Sequence, residues 1–258
     1  MTEEVRGLII RTVDIKDSDR LVVIFTEEHG AMTALARGAR SLKSRKLAAT
    51  MQFCYGRYVL YKQGDKYWIK EAELIENFFD IRQSIEGLAL ANYICEVLSD
   101  VTVAEAEKDL LRLSLNSLYA ISKNLYSVEK IKAVFEIRAV SILGFMPNVL
   151  SCSECDSKDG DFFFDIMGGV IECRECHERK MRGHVEHADP HETHIICILS
   201  EGAKTALGYA IYSPIERAFS FKISDDDMRL FTRATEEYIL NQLGHSFKSL
   251  DFYKSLIR

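Results

Sequence analysis

The chain has 258 residues, of which 47% are apolar and 28% are charged, values that are typical of a globular protein with one large domain or two modest ones. It contains no run of 18 apolar residues, so no membrane-spanning helix is predicted. Glu3 and Glu4 stand where a secretory signal needs basic and apolar residues, so we expect a cytoplasmic protein with reduced thiols.

The formal net charge of −6 disfavours a polyanion as partner, but the charge is unevenly distributed. Residues 31–70 contain nine positively charged side chains and one acid, Asp65, which gives this segment a net charge of +8. The nine are Arg37, Arg40, Lys43, Arg45, Lys46, Arg57, Lys62, Lys66 and Lys70. Such a local field can bind a polyanion although the whole molecule is acidic.

Residues 5–75 have the pattern of short strands, with β-branched and aromatic runs at 8–10, 21–25, 57–61 and 67–69. Turn residues, among them Gly30 and Gly64, separate these runs. About five short strands in such a stretch predict a small closed β-barrel.

From residue 82 to residue 145 apolar residues recur at steps of three and four, which predicts amphipathic helices packed as a bundle. The helical period returns after the cysteine-rich segment. Ser200 and Ser224 are expected to cap two further helices, of which the second ends at Gly244. The apolar C-terminal residues are expected to pack back onto the helices of the protein.

Four cysteines form two pairs with the spacing C-x2-C-x17-C-x2-C: Cys152, Cys155, Cys173 and Cys176. This spacing is typical of a tetrahedral zinc site, and four thiolates leave no open position for a substrate. The sequence therefore predicts one structural Zn²⁺ per chain. Free or disulfide-bonded cysteines are the competing interpretation, which reduced cytoplasmic thiols disfavour.

Five of the seven histidines follow within one stretch: His177, His184, His187, His191 and His194. One of them could replace a cysteine or bind a second ion. We favour a polar loop with exposed imidazoles, because the four thiolates already satisfy one ion.

A second motif is the basic run RGARSLKSRK at residues 37–46, which carries five cations among small and hydroxylic residues. Small residues let the backbone approach a phosphate, and arginine adds bidentate phosphate contacts. A basic loop between two barrel strands, followed by several tyrosines and Trp68, is typical of single-strand binding. The competing interpretation is a solvated loop.

Catalytic motifs are absent from the sequence. It lacks a P-loop, an HExxH or GxSxG motif, and an acidic cluster like that of a two-metal nuclease. Asp225, Asp226 and Asp227 are explained by the start of a helix, whose dipole favours acids. We therefore predict that the protein is not an enzyme.

Taken in order, several segments strongly resemble the RecO family of bacterial DNA repair proteins. They are GLIIRT at 7–12, DSDR at 17–20, FTEEHG at 25–30, ARGAR at 36–40, FEIR at 135–138, LGFMP at 143–147, the cysteine pairs around Gly168 and Gly169, and GHSFKSL at 244–250. Together they extend over nearly the whole chain.

The resemblance implies an α+β protein with an N-terminal OB-fold β-barrel and an α-helical domain into which a four-cysteine zinc module is inserted. On this basis we expect the OB-fold at residues 1–80, the helical domain at 81–148 and 182–258, and the zinc module at 149–181. It also implies a recombination mediator of the RecF pathway that binds single- and double-stranded DNA and anneals complementary strands. Such a protein works with RecR to load RecA on strands coated by single-stranded-DNA-binding protein (SSB), in the cytoplasm at the nucleoid.

Carried over by position, the family's DNA-binding loop falls on Arg37, Arg40, Lys43, Arg45 and Lys46, and Arg11 and Arg20 lie in matching stretches. The family also binds the acidic, apolar tail of SSB on its helical part. Here the candidate cations are Lys130, Lys132 and Arg138, for which ordinary surface charge on a helix is the competing interpretation.

Two other functions compete with the mediator. In the first, the protein is a zinc-containing interaction adaptor whose basic loop meets an acidic protein tail instead of DNA. In the second, it is a zinc-dependent nucleic-acid enzyme, which the closed four-thiolate site disfavours.

Overall fold

The computed structural model describes residues 2–15, 17–101, 107–184 and 195–257. The chain forms two compact units. The first comprises Met1–Val128 and Phe247–Arg258, and the second comprises Glu129–Ser246.

A closed barrel of five strands forms the N-terminal part of the first unit. The strands are β1 (Thr2–Ile15), β2 (Asp19–Thr26), β3 (Gly30–Ala36), β4 (Tyr55–Gln63) and β5 (Lys66–Glu76). Their order around the barrel is β1-β2-β3-β5-β4, and β1 closes it by pairing with β4 through its first half and with β2 through its second. This OB-like barrel confirms the predicted five strands.

Side-chain alternation fills the barrel interior, as expected for strands that face a core on one side only. Ile9, Ile24, Leu60 and Ile69 point inward and are almost completely buried. Tyr58 is also buried, and its hydroxyl donates a hydrogen bond to the carbonyl oxygen of Ala49 at 2.8 Å. This tyrosine therefore belongs to the core and cannot stack on a base.

Three helices complete the first unit: α1 (Ile85–Asp100), α2 (Glu107–Ser122) and α7 (Lys248–Leu256). Helices α1 and α2 pack against β1 and β2, and α7 packs against α1. The ring of Phe247 meets that of Tyr93 edge to face at a centroid distance of 5.5 Å. The apolar C-terminal segment thus packs onto a helix, as the sequence analysis expects.

The second unit combines helices with a small sheet. Its helices are α3 (Val128–Ile142), α4 (Arg174–His184), α5 (Glu201–Tyr212) and α6 (Asp225–Leu243), and its strands are β6 (Phe162–Asp165), β7 (Val170–Cys173) and β8 (Ile196–Leu199). Ser200 and Ser224 each accept a hydrogen bond from a backbone N–H in the first turn of α5 and α6, and Gly244 ends α6 with φ of 74°. These three helix boundaries confirm the prediction.

The predicted fold class, an OB-like barrel followed by helices and a cysteine module, is confirmed. The compact units group α1, α2 and α7 with the barrel, so they differ from the three-part division at 80, 148 and 181, which stays a prediction. Among the described residues, no helix combines the length and the apolar character that crossing a bilayer requires.

Barrel closure brings Gly7 of β1 opposite Gly56 of β4. A Cβ atom at Gly7 would lie 2.6 Å from both the carbonyl oxygen of Phe25 and Cγ2 of Ile24. We expect Gly7→Ala to lower the free energy of unfolding by about 1–3 kcal/mol, because the strands cannot separate without opening the barrel. Urea unfolding followed by circular dichroism measures this effect.

Gly208→Ala serves as the control, because Gly208 lies inside α5 and a Cβ atom there meets nothing within 4 Å. Alanine favours a helix more than glycine does, so this variant should unfold at an equal or higher urea concentration. Equal stability of the Gly7→Ala variant and the unmodified protein would contradict the tight closure.

Candidate functional site

Two short structures bring the four cysteines together. Cys152 and Cys155 lie in a turn in which the N–H of Cys152 donates to the carbonyl oxygen of Ser157 at 2.8 Å. Cys173 ends β7, and Cys176 lies in the first turn of α4. The β6–β7 hairpin therefore presents the second pair to the first.

The sulfur positions fit a tetrahedral metal site. All four Sγ atoms lie within 4.8 Å of one another, and those of Cys155 and Cys173 are 3.7 Å apart. Four sulfurs at a Zn–S distance of about 2.3 Å would be separated by about 3.8 Å. The N–H of Cys173 donates to Cys152 Sγ at 3.2 Å, and Arg179 donates to Cys176 Sγ at 3.0 Å. These donors suit thiolates that bind a metal ion.

The thiols of this cluster differ in their readiness to ionise. Burial raises the pKa of Cys152, but backbone N–H groups that include that of Cys173 donate to its sulfur and lower the pKa to about 7 overall. Burial and the neighbouring sulfurs raise the pKa of Cys176 to about 12. A divalent cation would lower the pKa of all four thiols, because it stabilises every thiolate that it binds.

His177 is engaged outside the sulfur cluster. Its ring stacks on that of Phe163 at a centroid distance of 4.0 Å, and its Nδ1 lies 2.9 Å from Oε2 of Glu172. Lys180 Nζ pairs with the other carboxylate oxygen of Glu172 at 2.7 Å. The side chain of His184 and residues His187, His191 and His194 lie outside the described part of the chain.

The basic loop, residues 37–54, connects β3 to β4 as a series of hydrogen-bonded turns. The turn between β1 and β2 anchors its start. Asp19 accepts a hydrogen bond from the N–H of Gly38 at 2.8 Å, and the N–H of Arg40 donates to the carbonyl oxygen of Ser18 at 2.9 Å. The loop is therefore held against one end of the barrel.

Asp14 partly neutralises two of the predicted DNA-binding residues. Its carboxylate lies 2.9 Å from Arg20 Nε and 3.2 Å from Arg40 Nε, and the hydrogen bond from Arg20 holds the pKa of Asp14 below its ordinary value. Arg20 also donates to the carbonyl oxygen of Thr50, and only 13% of its side chain is exposed. A charge count over residues 31–70 does not include Asp14, because Asp14 lies on β1 and meets these cations only in the folded barrel.

The remaining cations of the predicted set differ in their surroundings. Lys43 and Arg45 are exposed and form no ion pair with any described residue. Lys46 Nζ donates to the carbonyl oxygen of Ile69 at 3.1 Å, and burial lowers its pKa below the ordinary value. Arg37 lies over the ring of Trp68, whereas Arg11 is exposed on β1, outside the loop. Within the basic loop, Lys43 and Arg45 are the predicted DNA-binding residues that are most open to a phosphate.

The three candidates for the SSB tail have little free charge. Lys132 is buried, with Nζ 2.9 Å from Glu136 Oε1 and 2.7 Å from Glu236 Oε2. Lys130 Nζ donates to the carbonyl oxygen of Phe221 at 2.5 Å, and Arg138 donates to that of Ile211. Lys132 is thus part of an internal ion cluster, contrary to the surface position that the sequence analysis assumed.

Comparison with known proteins gives a consistent result. The family model described as recombination protein O N terminal matches residues 1–78, and the one described as recombination protein O C terminal matches residues 82–251. The DNA repair protein RecO of Acetivibrio thermocellus is 34% identical over 255 residues, which cover 98% of this chain and 96% of that protein. The RecO proteins of Clostridium kluyveri (35% over 176 residues, 66% of this chain and 67% of that protein) and Listeria monocytogenes (26% over 255 residues, 98% and 94%) are also similar.

The ion cluster around Lys132 generates a prediction about stability. Lys132→Ala should lower the free energy of unfolding by about 3–5 kcal/mol, because it leaves the buried carboxylate of Glu136 without its cation. Arg182→Ala is the control, since the pair of Arg182 with Glu178 is exposed and its loss should change stability by less than about 0.5 kcal/mol. Urea unfolding compares the two variants, and equal stability would show that the ammonium of Lys132 is available at the surface.

Proposed function

Because this chain belongs to the RecO family of DNA repair proteins, we propose that it is a recombination mediator that binds DNA through the basic loop. In this proposal it holds single- and double-stranded DNA, anneals complementary strands and acts with RecR to help load RecA on SSB-coated DNA. It does so in the RecF pathway, in the cytoplasm at the nucleoid, and makes or breaks no covalent bond.

The observation that carries the proposal is the exposure of Lys43 and Arg45 on an anchored loop beside Arg37. Phosphate contacts supply most of the affinity of a protein that binds DNA without regard to sequence. The acidic remainder of the chain repels the same polymer, so binding is confined to this surface.

Annealing follows from the same electrostatics. Two DNA strands repel each other, and a cationic surface that neutralises the phosphates of both strands raises their local concentration. Base pairing then joins the strands without further chemistry by the protein. Because the contacts are ionic, annealing should weaken as the salt concentration rises.

We further propose that Cys152, Cys155, Cys173 and Cys176 hold one structural Zn²⁺. Zinc would cross-link the cysteine turn, the β6–β7 hairpin and the start of α4. The N–H of Cys173 and the guanidinium of Arg179 would then stabilise the ligating sulfurs. Four thiolates leave no open coordination position, so the ion would have no catalytic role.

We also propose that Lys130 and Arg138 form the site for the SSB tail. Both side chains are partly buried and donate to backbone carbonyl groups, but a cation in such a position retains its charge and can attract an acidic tail. Lys132 is not part of this proposal, because its ammonium faces two carboxylates.

The DNA-binding proposal predicts a particular salt dependence. Four or five phosphate contacts on single strands give a slope of about −3 in a plot of log K against log salt concentration. The double variant Lys43→Ala, Arg45→Ala should make this slope shallower by about 1.4, because two contacts are lost. Fluorescence anisotropy of a labelled oligothymidylate across a sodium chloride series measures both slopes.

Lys248→Ala, which removes an exposed cation from α7 in the same unit, is the control and should leave the slope unchanged. Annealing of complementary oligonucleotides, with and without SSB, should follow the same order among the variants. Failure of the unmodified protein to bind the oligothymidylate at low salt would refute the proposal and favour the interaction adaptor.

The zinc proposal predicts one zinc ion per chain by elemental analysis of protein purified without chelators. Cys155→Ser should lose most of this zinc and unfold the region around residues 150–180, because the ion stabilises it. Cys155 is exposed, so its replacement disturbs packing little, and Cys197→Ala is the control because Cys197 lies outside the cluster. Metal-free protein with an intact far-ultraviolet spectrum would contradict the proposal.

A further inference from the structure

The outer face of the β4–β5 hairpin carries aromatic side chains, cationic side chains and a cavity. On β4 the outward residues Arg57, Val59 and Tyr61 alternate with buried ones. Their register partners on β5 are Glu73, Glu71 and Trp68. The hairpin therefore presents a row of side chains to the outside of the barrel, with Tyr61 and Trp68 nearest the hairpin tip.

An aromatic and cationic stack lies at that end of the row. The Arg37 guanidinium carbon lies 4.2 Å from the centroid of the Trp68 ring, and the rings of Tyr61 and Trp68 are stacked at a centroid distance of 6.3 Å with 16° between their planes. The Trp68 Nε1 atom is buried and has no hydrogen-bond partner among the described residues. A planar guanidinium on an indole is a surface on which a nucleobase can stack.

A cavity of about 520 Å³ follows directly along the same face. Its lining includes four cations and two carboxylates: Arg45, Lys46, Arg57, Lys70, Glu71 and Glu73. Arg57 already pairs with Glu4 and Glu73 at 3.0 and 2.5 Å, whereas Lys70 Nζ lies 4.0 Å from Glu71 Oε1 in an exposed pair. An exposed pair at that distance is weak, so Arg45, Lys46 and Lys70 are the cations that a phosphate can engage. The volume lies within the range of about 300–1,000 Å³ that is typical of small-molecule sites.

The connection between β3 and β4 explains why these features coincide. Because β5 lies between β3 and β4 in the barrel, the basic loop has to pass β5 to reach β4. The hydrogen bond from Lys46 Nζ to the carbonyl oxygen of Ile69 marks this crossing. The loop thus contributes Arg37 to the stack and Arg45 and Lys46 to the wall of the cavity.

The face of β2 and β3 does not combine these features among its described residues. OB-folds commonly bind oligonucleotides on the face of strands 2 and 3. Here the outward residues of β2 and β3 include Leu21, Val23, Thr33 and Leu35, which are uncharged, and α2 packs against β2. Charge and stacking both favour the β4–β5 face.

We propose that this face is a groove for single-stranded DNA, which we call the hairpin groove: one base stacks at Arg37 and Trp68, and adjacent phosphates bind Arg45, Lys46 and Lys70 in the cavity. The inference rests on the proposed DNA-binding function and assigns its single-strand contact. Stacking needs an unpaired base, so the hairpin groove favours single strands over duplexes and tolerates any base.

The emission of Trp68 tests the hairpin groove directly, because Trp68 is the only tryptophan of the chain. Titration of the full-length protein with a short oligothymidylate should quench this emission at the same midpoint as the anisotropy of the labelled oligomer. An abasic oligomer of equal length retains the phosphates but cannot stack, so it should bind about tenfold more weakly and quench little.

Two variants separate stacking from charge. Arg37→Lys retains the charge but removes the planar guanidinium, so it should weaken oligothymidylate binding several-fold and leave binding of the abasic oligomer unchanged. Lys70→Ala should make the salt slope shallower by about 0.7, while Lys248→Ala should not change it.

The outcomes distinguish failure of the hairpin groove from failure of the proposed DNA-binding function. If the protein binds both oligomers equally and the Trp68 emission stays constant, the hairpin groove is wrong and the basic loop alone binds DNA. If neither oligomer binds at low salt, both the hairpin groove and the proposed function are wrong. Loss of quenching in Arg37→Lys with unchanged affinity also overturns the hairpin groove, since the stack would then contribute nothing to binding.

Discussion

The closure of the barrel by β1 is the constraint on which the first unit depends. One long strand pairs with β2 through its second half and with β4 through its first, which leaves β5 between β3 and β4. The connection from β3 to β4 has to pass β5, and this connection carries five of the nine cations in residues 31–70. The close approach of β1 to β2 at Gly7 and of β4 to β5 at Gly56 allows the barrel to close at this size. Fold and charge distribution are therefore linked through a single topological requirement.

Spatial neighbours modify the charge of the basic segment considerably. Asp14 pairs with Arg20 and Arg40, and Glu4 and Glu73 pair with Arg57. The positive charge that these carboxylates do not neutralise is concentrated on fewer side chains than a count along the sequence suggests. This concentration favours a narrow line of phosphate contacts over a broad basic surface, which agrees better with a single strand than with the side of a duplex.

The second unit has polar clusters with different physical roles. At the cysteines, four weakly acidic thiols meet, one of which accepts a hydrogen bond from Arg179, and their mutual spacing suits a metal ion. Around Lys132, one buried ammonium meets the carboxylates of Glu136 and Glu236, and Thr235 donates a further hydrogen bond to Glu136 at 2.9 Å. The cluster is satisfied internally, so it contributes to structural specificity and stability and offers little to a ligand.

Local patterns in the sequence determined much of this protein. The strand runs, the caps at Ser200 and Ser224, the stop at Gly244 and the two cysteine pairs depend on neighbours within a few residues, and the structure has all of them as predicted. These features are local, because a side chain that caps a helix contacts only the first turn of that helix, and the two cysteines of a CxxC pair lie on one tight turn.

Only the tertiary structure decided which charges remain available. The local sequence around Lys132 does not distinguish it from a lysine on the surface of a helix, so its burial does not follow from a local pattern. The pairing of Asp14 with Arg40 does not follow from one either, because the two residues lie far apart in the sequence. The stack of Arg37 on Trp68 likewise joins the first residue of the basic loop to a residue of β5, and the two become neighbours only when β3 pairs with β5. Electrostatic and stacking interactions depend on distance through space, and the barrel topology sets those distances.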